Sequence, residues 1–311
     1  MTVTTDAPQE IVRSGIVPFY LTGTEASTVP IIRGRFARLF TPASDILNRH
    51  DYPDAVGELC AESMALAACL SATLKFDGVF TLQAKGDGAV RTLFSDVTSE
   101  GHVRCYAAFD EAALADVAPA EPSVLPRLMG GGYMAFTIDQ SDTDQRYQGI
   151  VELDGPHLGD AAETWFRNSE QMATKLIAAA QKTDAGWVSS ALFLQQIATD
   201  GGNRNDDVDL EDAWHTALML MSSVKRTEML DPDLPDTDLL FRLFNAQALH
   251  IQESRPLTDS CRCSDDKVYS MLKSLSEEQL RDLMDETQNL SVECEFCKRK
   301  RIHSLGDILQ A

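Results

Sequence analysis

Cys261-Arg262-Cys263 and Cys294-Glu295-Phe296-Cys297 carry most of what this chain's sequence says about itself. The first is a C-x-C pair and the second a C-x-x-C pair, separated by the thirty residues Ser264 to Glu293. Four thiolates in two close pairs fit the tetrahedral sulfur shell of Zn²⁺. A C-x-x-C turn aims two sulfurs at one centre, and the C-x-C pair supplies the other two across the intervening loop. The expected metal ligands are therefore Cys261, Cys263, Cys294 and Cys297, holding one Zn²⁺. The same sulfurs can also leave a metal and join as two disulfides. Chemistry alone leaves two readings open, a permanent structural site and a switch. The close approach of two thiolates in C-x-C, open to a strong oxidant, favours the switch.

The segment 256–311 around these cysteines carries few large apolar residues, so it needs the metal to fold. A structural zinc contributes ~10–16 kcal/mol of apparent binding free energy, which becomes folding free energy. Within the segment, Ser276-Glu277-Glu278-Gln279 matches the S-x-x-Q capping box of a short helix, with Leu280, Leu283 and Met284 as its apolar stripe. Val292 to Cys297 reads as a strand running into a metal knuckle.

Upstream, Asp200 to Val208 (DGGNRNDDV) reads as a linker. Two amphipathic helices are expected after it. Trp214, Leu218, Met221 and Val224 fall at helical spacing in the first, and Leu240, Leu243, Phe244 and Ile251 in the second, with Pro232 and Pro235 between them. Residues 200–255 are thus expected as a helical linker that lays Trp214, Leu218, Met221, Leu243 and Phe244 on the preceding domain.

Residues 11–199 read as a mixed α/β domain behind a loose tail, 1–10. The apolar, small-residue run within Asp54–Leu74 predicts a helix buried all round. Strands are expected at Pro30–Leu39, Val79–Ala84, Val90–Phe94, Val103–Phe109, Tyr133–Ile138, Tyr147–Leu153 and Trp187–Ile197, with a further helix over Ala161–Ala180. The whole is an α+β protein in three parts: domain 11–199, linker 200–255, zinc module 256–311.

Bulk composition excludes several functions. A hydrophobic content of 44% supports a sizeable core, and a net charge of −21 opposes binding to phosphate backbones. The basic run Lys298–Arg301 behind the second cysteine pair is the one feature that favours a zinc-dependent nucleic-acid binder. Acidic residues still outnumber basic ones over 259–311, so the run reads as a solvated patch. No apolar run is long enough to span a membrane, and the polar N-terminus does not resemble a signal peptide. A reducing, cytoplasmic compartment is expected, in which Cys60, Cys69 and Cys105 are buried, inert thiols. No P-loop, G-x-S-x-G or H-E-x-x-H motif is present, and the C-x-x-C lacks an adjoining βαβ unit, so no enzyme is expected.

The cysteine arrangement resembles that of the redox-regulated bacterial heat-shock chaperones, the 33 kDa chaperonin family. So do Ile32-Arg33-Gly34-Arg35, Leu74 to Gly78, Leu82-Gln83 with Gly86-Asp87-Gly88, Arg146 to Leu153, and Trp165 to Gln171. The resemblance runs from about residue 15 to the end. It implies an ATP-independent chaperone, inactive as the reduced zinc form, that binds unfolding client proteins under oxidative stress. It further implies that oxidation joins Cys261 to Cys263 and Cys294 to Cys297 and releases zinc. Sensor and linker then lose structure, and the activated protein tends to form a homodimer. The chain departs from the family pattern in two places. Cys105 stands where glycine is usual, and Lys298 to His303 follow Cys297 where aromatics are common.

Overall fold

The computed structural model describes residues 14–117, 125–141, 146–197, 209–285 and 287–310; the expected tail 1–10 and linker Asp200–Val208 lie outside them. The α+β class holds. Two six-stranded sheets enclose one helix, and a two-stranded ribbon lies near the C-terminal end.

The enclosed helix is Asp54–Ser71, and fifteen of its eighteen residues are buried. Its small side chains allow sheets to approach it from both sides. On one side, Ala37, Leu39, Ala191 and Phe193 come from the strands Ile32–Leu39 and Gly186–Gln196. On the other, Phe80, Leu82, Leu93 and Val103 come from Gly78–Gly86, Val90–Thr98 and His102–Phe109. Gly57 marks the closest approach, since a Cβ there would lie 2.5 Å from the Trp187 ring. Cys60, Cys69 and Cys105 are all buried in this core. Burial pushes the Cys69 thiol up to about 12 and also raises that of Cys60. Cys105 differs: burial raises it, but hydrogen bonds with Cys60, Ser95 and Ser63 outweigh that and lower it.

The first sheet runs in the order Leu249–Ile251, Gly15–Leu21, Ile32–Leu39, Gly186–Gln196, Thr174–Thr183. Both of its faces are buried. Alternate residues Val17, Phe19, Leu21, Phe36, Leu192 and Leu194 point away from the central helix into a second apolar cluster. That cluster is completed by the helices Leu210–Ser222 and Asp236–Phe244, through Ala213, Ala217, Met221, Leu239, Leu240, Leu243 and Phe244. Phe244 stacks on Phe19 at 5.5 Å. Trp214 and Val224 pack against the cluster from partly buried positions, and Leu218 is half-buried, because Ala213 and Ala217 define the inward face. Arg38, 3% exposed, leaves the sheet on the same side. It donates to the carbonyls of Met229 (2.9 Å), Leu234 (2.5 Å) and Glu228 (2.8 Å), and pairs with Asp236 at 2.8 Å. One guanidinium thus collects the carbonyls of the turn between the two helices.

The second sheet runs Thr258–Asp259, His102–Phe109, Val90–Thr98, Gly78–Gly86, Gly132–Gln140, Arg146–Glu152.

Two expectations need correction. Ala161–Ala180 is not one helix. Leu158–Trp165 is α-helical, Phe166–Glu170 forms a single wide turn, and Gln171 (φ 53°) ends it in the left-handed region. Thr174–Thr183 is then a strand, because ten residues pair with Gly186–Gln196 across a turn that Gly186 (φ 121°) permits. That pairing overrides the helix propensity of the alanines. Ile251 is likewise in a strand. Leu249–Ile251 and Arg255–Pro256 pair with the strand Gly15–Leu21, and Thr258–Asp259 then pairs with His102–Val103 of the other sheet. Residues 249–260 are a strap that ties the two sheets together. Its crossing point depends on Gly101 (φ +87°), where a Cβ would lie 2.2 Å from the Pro256 carbonyl oxygen. Leu257, 3% exposed, enters the main core from the strap.

The second apolar cluster lies on the face of the first sheet away from the central helix. Phe244→Ala should destabilise the covering helices by about 3–5 kcal/mol. Hydrogen exchange should then quicken across Leu210–Phe244, while amides of Asp54–Ser71 keep their protection.

Candidate metal centre

The four expected cysteines converge. Their sulfurs all lie within 4.8 Å of one another, with Cys261 Sγ 3.7 Å from Cys294 Sγ and Cys263 Sγ 3.4 Å from Cys297 Sγ. A tetrahedron with Zn–S of about 2.3 Å has edges of about 3.8 Å. The donor set is therefore of the right type, number and spacing for one zinc ion. In such a shell every pair of sulfurs is an edge, so the shell alone does not choose which would join on oxidation.

Local structure explains the convergence. The strands Asn289–Glu293 and Lys300–Ser304 form an antiparallel ribbon. Its turn is closed by Cys294 N donating to the Arg299 carbonyl (3.1 Å) and Lys298 N to the Cys294 carbonyl (2.8 Å), with Lys298 at φ 56°. The other pair ends the strap and precedes the helix Asp265–Lys273, whose N-cap Ser264 accepts from Lys267 N at 3.2 Å. The expected capping box is present: Ser276 Oγ accepts from Gln279 N at 3.2 Å, and Ser276 N donates to Gln279 Oε1 at 2.9 Å. Leu280 is buried and Met284 packs beside it. Leu283 is 58% exposed, because the helix Glu277–Asp282 stops just before it.

The basic run behind Cys297 is not simply a solvated patch, and this corrects the sequence reading. Lys298 pairs with Glu295 (3.0 Å) and Glu293 (3.5 Å), and Lys300 with Glu293 (3.5 Å). Arg301 is 7% exposed, pairs with Asp265, and donates to Cys263 Sγ at 3.4 Å. Its cation lies against the sulfur cluster, so Lys298 and Arg301 are engaged within the module while Arg299 and Lys300 stay exposed. Burial raises the Cys263 thiol, but hydrogen bonds with Cys297, Cys261 and Arg301 outweigh it and bring the thiol down to about 7. Burial raises Cys261, and Cys297 to about 12, chiefly by desolvation.

The residues between the cysteines, to which the sequence alone assigned no role, dock the module on the second sheet. Arg262 reaches Asp96, 3% exposed, at 2.6 Å. Asp96 also accepts from Arg104 Nε and from Thr81 Oγ1, both at 2.7 Å. Phe296 lies over the Arg104 guanidinium at 3.8 Å and beside the Tyr106 ring at 6.0 Å. Its carbonyl accepts from His50 Nε2 at 2.9 Å. Arg49 grips Asp259 of the strap with two hydrogen bonds, 2.7 and 2.8 Å. An arginine and an aromatic inside cysteine pairs were the available signals.

A family profile described as "Hsp33 protein" matches residues 27–303. The chain belongs to the Hsp33 family. It is 33% identical over 293 residues to a protein named 33 kDa chaperonin from Caulobacter vibrioides, covering 92% of this chain and 95% of that one. A 33 kDa chaperonin from Nitrosococcus oceani is 34% identical over 268 residues, 86% of each chain. The crystal structure of a 33 kDa chaperonin from Thermotoga maritima superposes with a TM-score of 0.76. It covers 96% of this chain and 97% of that one at 18% identity, a likeness of fold. Among the described residues no helix is long and apolar enough to cross a membrane.

Four buried side chains, Leu272, Leu280, Leu290 and Ile308, form the module's own apolar core. Chelating the metal from the reduced, full-length chain should therefore strip exchange protection from 289–293 and 300–304 while the central helix stays protected. Cys294→Ser should abolish zinc retention through dialysis.

Proposed function

We propose that this chain is an ATP-independent holdase of the cytoplasm, switched on by oxidation, with Cys261, Cys263, Cys294 and Cys297 as both zinc ligands and redox sensor. The carrying observation is the convergence of these four sulfurs on a module that has little other core and grips the rest of the protein through residues between its ligands. Bound zinc would hold the sulfurs as thiolates and supply the folding energy that the module lacks.

In the proposed cycle, a hypochlorite- or peroxide-type oxidant takes two electrons from Cys261 and Cys263 and two from Cys294 and Cys297. An S–S bond forms in each pair as the oxidant is reduced to chloride or water, and the four sulfurs would then no longer be available to hold a metal. Each disulfide needs a sulfur separation near 2.0 Å, which distorts both turns. Arg262 and Phe296 are then drawn from Asp96 and Arg104, and the strap loses its anchored end. The helices Leu210–Ser222 and Asp236–Phe244, linked to that strap, come free of the first sheet. Their inner faces and residues such as Phe19 and Phe36 are the apolar surface offered to unfolding proteins. The strongly acidic remainder keeps such a complex soluble. A homodimer is the expected oxidised state, and no ATP site or catalytic residue takes part.

Reduced protein should carry one zinc with all four thiols protected and leave a chemically unfolded client to aggregate. After hypochlorite, or peroxide with mild heat, peptide mapping should find the Cys261–Cys263 and Cys294–Cys297 bonds, and aggregation should be suppressed without nucleotide. Equal protection by the reduced zinc form would leave only a structural metal site.

A further inference from the structure

Phe296 does more than fill space: it occupies a built receptacle on the second sheet. The floor is the Arg104 guanidinium, 3.8 Å from the ring centroid, and one wall is Tyr106. His50 donates to the Phe296 carbonyl at 2.9 Å, so the receptacle engages backbone as well as side chain. Each part is fixed from within the core. Arg104 is held by buried Asp96. The His50 ring lies flat on Tyr52, 4.8 Å away and inclined by 4°. Tyr52 is locked in turn, its hydroxyl accepting from Ala107 N at 2.9 Å and donating to the Ala107 carbonyl at 3.2 Å.

These supports do not depend on the cysteine module. If Arg262 withdraws, Asp96 keeps Arg104 and Thr81 as partners, so the guanidinium stays where it is. The receptacle would outlast the departure of Phe296, leaving a planar cation, an aromatic wall and the His50 imidazole donor bare to solvent. That set matches an aromatic side chain together with its own carbonyl, with nothing in it specific to the rest of the knuckle.

We infer that the Arg104–Tyr106–His50 receptacle is a docking site for aromatic residues of non-native polypeptides, and that Phe296 holds it shut in the reduced protein as an internal mimic of that partner. The inference rests on the holdase reading, since the partner class is its client, and names a recognition point on the core separate from the apolar faces beneath the helices. It explains why an aromatic residue stands between two metal ligands, and gives the sensor's release a second consequence at a site it had covered.

The test uses full-length protein and a fluorescent, unstructured Gly/Ser-rich peptide with one phenylalanine, beside its Phe→Ala control. Reduced, zinc-loaded Phe296→Ala should bind the phenylalanine peptide about tenfold tighter than reduced wild type, and the control no better. Adding Arg104→Gln should remove the gain. Should Phe296→Ala fail to retain zinc, oxidised wild type against oxidised Arg104→Gln decides, with the peptide expected to bind only the former. The inference is overturned if neither comparison shows a difference. It is equally overturned if the alanine control binds as well, or if only a peptide carrying residues 293–299 binds, which would make the receptacle a private latch. The reduced arm needs no oxidation, so it stands apart from the holdase reading. That reading fails instead if oxidised wild type does not suppress aggregation.

Discussion

Among the described residues, the C-terminal module's own apolar cluster has only Leu272, Leu280, Leu290 and Ile308 fully buried, and this scarcity constrains everything else. At ~1.5–3 kcal/mol for each such side chain, that core does not balance the entropy of ordering the segment. On the proposed reading, the missing stability comes from a metal held by the sulfur cluster and from contacts with the second sheet. Both sources meet in the same two turns: the cysteines point at one another, while Arg262 and Phe296 point at Asp96 and Arg104. The chemistry of the sulfurs and the attachment of the module are therefore one structural event.

The strap gives that event a route. Residues 249–260 leave the helix Asp236–Phe244, pair with the first sheet, send Leu257 into the main core and pair with the second sheet before reaching Cys261. Arg38 and the Phe19–Phe244 stack hold the helices at one end; Arg49 and the cysteine module hold the strap at the other. On the proposed reading, loosening one end lowers the cost of loosening the other. The central helix, enclosed by both sheets, stays as the fixed frame. On that reading the switch acts by loosening a cover that the resting protein holds firmly, next to a core it leaves intact.

Much of this was legible in the residues. The Asp54–Ser71 helix declared itself because a run small and apolar on all faces fits only between two layers. The cysteine spacing announced that the four sulfurs would converge, and Ser276 with Gln279 announced the start of a helix in the same module. What stayed hidden depends on partners far away in sequence. Thr174–Thr183 looks helical because alanine favours helices, and only pairing with Gly186–Gln196 makes it a strand. Strap segments of two or three residues are too short to show a period. Arg38 looks like any surface arginine until the carbonyls of Glu228, Met229 and Leu234 are found around it. Arg301 sits in a basic run yet serves Cys263 and Asp265.

Zinc release and hydrogen exchange across residues 249–260, followed together in one time course of oxidation, test whether the sulfur cluster anchors the strap. If the sulfur cluster anchors the strap, protection of the strap amides should fall in step with zinc release, with the helices Leu210–Ser222 and Asp236–Phe244 following and Asp54–Ser71 unchanged. Full release of zinc with the strap and those helices still protected would contradict the account.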